Sequence, residues 1–252
     1  MTDGWRVGAN LATLANALCG VGAIAYVLAG NKLWAMFLIT AAIGFDGLDG
    51  LLSRRSASAG SSFGRIADSV ADAITFGLAP AFLIAVHTSN TALWAPWETL
   101  AIALAAAYLS AAVGRLVYFT WRGFQRSYFL GVPTPEAALA LTVALLFHDT
   151  PAFQTVQPLA VLIGVAIISV MMVAPVPYPK IRRGSLLRAP MTITAIAAAI
   201  ALVVLQFRPA SGSPLFLVAL GASYSLLLGV ACYYLLGPFT VDRRTTSPVP
   251  EG

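Results

Sequence analysis

The chain has 252 residues, of which 59% are hydrophobic and 10% charged, and its mean hydropathy is +0.83. An ordinary soluble domain carries roughly 25% charged residues, so the composition excludes a disordered chain, a coiled coil and a conventional cytosolic enzyme, and turns most of the surface toward lipid. The net charge of +5 would suit a nucleic-acid binder, but the placement of the basic residues, below, excludes nucleic acid as a partner.

A bilayer core takes about 20 apolar residues per helix. Taken in chain order, the apolar runs predict spans over residues 8–30, 33–53, 65–87, 98–120, 135–148, 156–174, 190–207 and 214–236. This is an all-α, polytopic membrane protein of about eight transmembrane helices. Every connection is short, so residues 1–252 read as one integral-membrane domain ending in a cytoplasmic tail over 238–252. The first span has no basic leader beyond Arg6, and its run is too long for a cleavable signal peptide. The fifth span is the shortest, confined between Pro133/Pro135 and Pro151. Cys19 and Cys232 lie in apolar runs and frame no disulfide scaffold. The two histidines, His87 and His148, fall on the side away from most of the basic residues and read as interfacial polar residues. Trp34, Trp94, Trp97 and Trp121, near span ends, read as interface anchors.

Basic residues set the orientation. One side carries Arg6, Arg54, Arg55, Arg65, Arg115, Arg122, Arg126, Lys180, Arg182, Arg183, Arg188, Arg243 and Arg244, and the other carries Lys32 and Arg208. A split of 13 to 2 places both termini in the cytoplasm of a cell-membrane protein. The positive charge is thus a topology signal that can also attract anionic headgroups.

Ten acids are present. Asp3, Asp149, Asp242, Glu98, Glu136 and Glu251 lie in termini, loops or span edges. Asp46, Asp49, Asp68 and Asp72 instead fall within 27 residues, inside otherwise apolar helices. One Asp at the centre of a membrane helix costs roughly 2.5–3.5 kcal/mol, so four together call for a neutralising cation. Asp46 and Asp49 are three apart and Asp68 and Asp72 four apart, which puts each pair on one helix face. Asp46 is about 10 Å from the cytoplasmic end of its span at 1.5 Å per residue. Four carboxylates are hard donors suited to Mg²⁺ or Mn²⁺. Gly47, Gly50 and Gly64 permit close approach, and Arg54 and Arg55 can hold phosphate. Carboxylates, divalent metal, glycine and arginine together describe a phosphoryl-transfer site. Two other classes compete. A carboxylate-based ion transporter would place its acids near the midplane, whereas these lie toward one face. A non-catalytic scaffold gives no reason for the four aspartates.

The run Asp46-Gly-Leu-Asp49-Gly50-Leu-Leu-Ser53-Arg54, followed by Gly64-Arg-Ile-Ala-Asp68-Ser-Val-Ala-Asp72, resembles the signature of the CDP-alcohol phosphotransferases. Ser53 stands where that signature has Ala, and nine residues rather than eight separate Arg54 from Gly64, so either Arg54 or Arg55 can take the place of the family arginine. Asn10-Leu-Ala-Thr-Leu-Ala-Asn16-Ala-Leu-Cys-Gly20 and Ala73-Ile-Thr-Phe-Gly77-Leu-Ala-Pro80 resemble elements of the phosphatidylserine synthase branch. So do Phe129-Leu-Gly131-Val-Pro133-Thr-Pro135 and Met172-Val-Ala-Pro-Val-Pro-Tyr178-Pro-Lys180. The last run is also similar to the archaeal members. Arg115-Leu-Val-Tyr-Phe-Thr120 departs from the branch, which has a second Arg and an Asn there.

The resemblance implies metal-dependent transfer of a lipid-phosphate group from a CDP-activated lipid, CDP-diacylglycerol or its ether-linked archaeal counterpart, to the hydroxyl of L-serine, releasing CMP. It implies two divalent cations held by Asp46, Asp49, Asp68 and Asp72, with Asp72 as general base, and nucleotide contacts from Gly50, Arg54 and Gly64. It also implies a homodimer in the membrane with the active site facing the cytoplasm. Serine's carboxylate calls for a cation, and Arg115 comes first, with Tyr178 and Lys180 next. Arg115 and Lys180 also suit a topology-setting or snorkelling role, and Tyr178 an interfacial one. Inositol phosphate, glycerol phosphate or choline are the other acceptors the same chemistry would take, and Lys180, Arg182 and Arg183 would suit a phosphorylated one.

Overall fold

The computed structural model describes residues 3–53, 62–89, 95–122, 128–148 and 158–179, with residues 204, 213–214, 221, 229 and 235–240. Seven helices of more than one turn run through these segments: α1 (Asp3–Leu28), α2 (Lys32–Ser53), α3 (Ser62–Asp72), α4 (Ala79–Ser89), α5 (Glu98–Arg122), α6 (Thr134–His148) and α7 (Pro158–Val173). A π-helical turn over Ala73–Leu78 joins α3 to α4 into one continuous rod. Four rods, Gly4–Leu28, Lys32–Ser53, Phe63–His87 and Ala95–Trp121, are long and apolar enough to cross a membrane. Two more, Thr134–Leu146 and Pro158–Val173, are apolar but shorter. The first six expected spans therefore appear as helices. Those expected over 190–207 and 214–236, and the tail beyond Thr240, fall almost entirely outside the described residues.

α1 and α2 form an antiparallel hairpin whose turn is specified locally. Gly30 takes φ +78° and closes α1, with Gly30 N–H donating to Val27 O at 3.0 Å and Asn31 N–H to Tyr26 O at 2.8 Å, the Schellman arrangement. Asn31 then caps α2 by accepting from Trp34 N–H through Oδ1 at 3.3 Å. One face of α1 leaves Leu11, Leu14, Leu18 and Val21 exposed, a stripe that suits lipid. Its other face packs on α2 and the α3–α4 rod. The core holds Met36, Ile39, Phe76, Leu83, Tyr108, Leu141 and Leu162, all fully buried or nearly so.

The π-helical turn has an identifiable cause. Pro80 has no N–H and its ring crowds the carbonyl four residues earlier, that of Phe76. The wider π turn absorbs that misfit, with Ala79 N–H donating to Ile74 O. The Phe76 carbonyl, which Pro80 cannot serve, accepts from the Tyr108 hydroxyl of α5 at 2.8 Å. The same turn is seated against α1, where Thr75 Oγ1 donates to Asn16 O at 2.8 Å. A Cβ on Gly20 would stand 2.8 Å from the Thr75 Cα and closer still to its Oγ1, so α1 and the rod are in backbone contact that only glycine permits.

The all-α expectation needs one correction. Two short strands, β1 (Tyr128–Leu130) and β2 (Pro177–Pro179), pair antiparallel, Phe129 opposite Tyr178. β2 lies among Pro175, Pro177 and Pro179, and β1 is followed by Gly131 and Pro133, so neither run continues a helix. The ribbon continues through Gly131 N–H to Val176 O at 2.8 Å and Val132 N–H to Met171 O at 3.0 Å. Gly131 has φ +70°, and a Cβ there would collide with the Met172 carbonyl oxygen. The ribbon thereby ties the start of α6 to the end of α7.

Candidate active site

The acidic pairs of α2 and α3 meet. One carboxylate oxygen from each of Asp46, Asp68 and Asp72 lies within 4.8 Å of the other two. Asp49 stands beside this triad rather than in it: its side chain lies against Asp68, and its Oδ2 accepts from Thr13 Oγ1 at 2.5 Å. Asp72 and Asp49 are buried, Asp46 and Asp68 half-buried. The acids act on one another: Asp46, Asp68 and Asp72 each feel the others' or Asp49's charge. Three converging hard oxygens without a cationic side chain among them fit a divalent ion.

α1 supplies a third wall. Asn16, fully buried, donates from Nδ2 to Asp72 Oδ1 at 2.8 Å, while its backbone carbonyl anchors the π-helical turn that follows Asp72. Thr13, one turn earlier on the same face, holds Asp49. Asp72 is therefore fixed from two directions, through its carboxylate and through the turn after it. Sequence pattern alone assigns the Asn10–Gly20 run no role at the site. The signal was available, because polar side chains one turn apart in an apolar span face the protein interior.

The remaining expected residues divide. Gly50 sits half-buried on α2, one residue beyond Asp49, and Gly64 half-buried on α3, one turn before Asp68. Arg54, Arg55 and Lys180 lie outside the described residues. Arg115 is buried on α5, its guanidinium carbon 4.6 Å from the centroid of Phe119, in cation–π range. Tyr178 is fully buried in β2. His87, expected at the interface, is buried at the end of α4, because the helices around it enclose that end of the rod. Glu136, read as a span-edge acid, opens α6 with Oε2 enclosed and without a hydrogen-bond partner. Beside the acidic centre, a groove of about 550 Å³ runs between the α3 rod and α5, lined by Ile66, Val70, Ile74, Leu109, Val113 and Val117 among others. At one end of it, the Ser69 and Thr120 hydroxyls meet at 2.5 Å.

Residues 6–173 match the sequence pattern of the CDP-alcohol phosphatidyltransferase family. The chain is 30% identical over 174 residues to a CDP-diacylglycerol–serine O-phosphatidyltransferase of Bacillus subtilis, covering 68% of this chain and 89% of that protein. It is 25% identical over 177 residues to the protein of the same name in Helicobacter pylori, covering 69% and 72%. It is 27% identical over 173 residues to an archaetidylserine synthase of Methanothermobacter thermautotrophicus, covering 68% and 69%. The matched region contains all three walls of the acidic centre, and the chain belongs to the CDP-alcohol phosphatidyltransferase family, a family of membrane-embedded lipid transferases.

Proposed function

We propose that this enzyme transfers a lipid-phosphate group from a CDP-activated lipid to the hydroxyl of L-serine, releasing CMP. Convergence of Asp46, Asp68 and Asp72 within 4.8 Å carries the reaction class, and the names of the relatives support serine as acceptor. The serine oxygen attacks the phosphorus that bears the lipid, the bond from that phosphorus to the CMP oxygen breaks, and the hydroxyl proton passes to Asp72. Asp72 Oδ1 is held by Asn16, which leaves Oδ2 to take the proton; its value as a base lies in placement. Asp46, Asp49, Asp68 and Asp72 would hold two divalent ions, Mg²⁺ or Mn²⁺, which supply neutralisation of charge on the pyrophosphate and the leaving nucleotide. Gly50, Gly64 and Arg54 or Arg55 would contact the nucleotide, and Arg115, with Tyr178 and Lys180, would serve the acceptor. The apolar groove along α3 suits a chain of the donor. Basic residues crowd the side on which the acids lie, which supports a cytoplasmic active site in the cell membrane. Pairing of two copies in the bilayer completes the reading.

The test is purified protein in lipid with CDP-diacylglycerol or its ether-linked counterpart, a divalent ion and a panel of alcohols, with CMP release followed. The expected result is release that requires both serine and the ion. Release that ignores serine but follows glycerol phosphate, inositol phosphate or choline would reassign the acceptor. Release unaffected by chelation would remove the metal assignment.

A further inference from the structure

Among the described residues, Glu136 is an acid with an enclosed carboxylate oxygen that the phosphoryl-transfer chemistry leaves unused. It lies in the first turn of α6, placed there by Pro135, whose missing N–H costs nothing at a helix start. The Gly131 ribbon, closed on the Met172 backbone, fixes where that start sits. α6 packs against both α2, which carries Asp46, and α5, which carries Arg115. Glu136 lies within electrostatic reach of both residues. It therefore stands near both the acidic centre and the cation proposed for the acceptor. Its Oε2 is enclosed with no hydrogen-bond partner, although a carboxylate withdrawn from water requires a donor or a cation to offset its lost hydration.

L-serine has the matching shape. Its hydroxyl must reach Asp72, while the adjacent carbon carries an ammonium and a carboxylate. We infer that Glu136 and Arg115 form a clamp for a zwitterionic acceptor, in which Glu136 Oε2 accepts from the ammonium and the Arg115 guanidinium takes the carboxylate. This inference rests on the proposed transfer to serine and deepens it. An ammonium supplies the missing donor at Oε2. It also sets apart amino-acid acceptors from hydroxy acids of the same size, because a site with a buried acceptor rejects the analogue that leaves that acceptor unpaired.

The experiment compares L-serine with 3-hydroxypropanoate, which keeps the hydroxyl and the carboxylate but lacks the ammonium. Each is read as acceptor KM or, where transfer is too slow, as Ki against serine. In the wild type, serine binds far more tightly. In Glu136→Gln, serine affinity falls about tenfold or more, the loss expected for one charge-assisted hydrogen bond. 3-Hydroxypropanoate affinity holds or improves, the KM for the CDP-lipid is unchanged, and Glu136→Asp recovers part of the serine preference. Equal losses for both acceptors would overturn the inference, since Glu136 would then only be holding Arg115. Unchanged serine affinity would overturn it as well. Should Glu136→Gln not fold, the serine-to-hydroxypropanoate ratio of Glu136→Asp decides, and an unaltered ratio overturns the clamp. A wild-type enzyme that ignores serine removes the proposed function instead, a result visible before any variant is made.

Discussion

The acidic centre on α2 and α3 and the entrance to α6, which packs on α2, are assembled in different ways. At the centre, four aspartates are presented in pairs by helical periodicity, so their grouping needs only two helices meeting near one membrane face. At the α6 entrance, Glu136 is isolated in sequence, and Arg115 acts on it electrostatically from another helix. On the proposed function, the first region serves the charge that every substrate of this chemistry shares, the pyrophosphate. The second, with one acid and one base, serves what distinguishes one acceptor from another. Loss at the centre should stop turnover whatever the acceptor, whereas loss at the entrance should change which acceptor is used.

The largest effect tests the first half of that contrast. Asp46→Asn, Asp49→Asn, Asp68→Asn and Asp72→Asn should each lower CMP release by at least about a thousandfold, with every acceptor tried, in protein that still inserts and folds. Asp72→Asn should retain binding of the CDP-lipid because three carboxylates remain. Near-normal turnover in Asp46→Asn or Asp68→Asn would dissolve the metal assignment, and an Asp72 variant that loses donor binding but not chemistry would end its role as base.

Arg115 tests the second half. Arg115→Ala should raise the serine KM about ten- to a hundredfold, the equivalent of a charge-assisted contact of about 1.5–3 kcal/mol. Arg115→Lys should recover part of this, since a point charge replaces a planar fork. The KM for the CDP-lipid should hold in both. If serine KM stays put while donor KM rises, Arg115 serves the nucleotide side and the division between the two regions fails.

Asn16 lies behind the centre rather than in it, so a smaller and purely catalytic effect is expected. Asn16→Ala removes the 2.8 Å hydrogen bond to Asp72 and should lower kcat about ten- to a hundredfold, the range for residues that orient ligands and bases. Serine and donor KM values should change little, and Asn16→Asp, which sets a fifth carboxylate against Asp72, should be worse than Ala. A variant that shifts KM without kcat would make Asn16 a binding residue.

Tyr108→Phe should give the smallest change. The Phe76 carbonyl, which Pro80 cannot serve, would lose its Tyr108 hydroxyl, at a cost of about 1 kcal/mol on the scale of buried hydrogen bonds. Thermal unfolding should shift down by a few degrees while the acceptor ratio of serine to 3-hydroxypropanoate stays constant. A changed ratio would mean that the π-helical turn takes part in acceptor choice.

The helices were readable because lipid imposes a simple rule, a run of about 20 apolar residues. Lys32–Ser53 and Glu98–Arg122 fall within two residues of the runs that predict them. Departures from helix were not readable from hydropathy alone. Residues 131–176 separate β1 from β2, and no local signal pairs two such short segments across that distance. The π-helical turn follows from Pro80, but whether a proline kinks a helix or is absorbed depends on a donor such as Tyr108 arriving from another element.

By itself the sequence determined the membrane class, the place of the first six helices and the grouping of the acids, because hydropathy and the spacing of Asp46, Asp49, Asp68 and Asp72 are properties of contiguous chain. Only the tertiary structure decided that Asn16 of α1 would hold Asp72, that Asp49 would stand beside the triad with Thr13, and that Glu136 would have its Oε2 enclosed near both Asp46 and Arg115. Those roles arise where side chains from distant helices lose water together, and the cost of burying a polar group is fixed by whatever partner the fold brings to it.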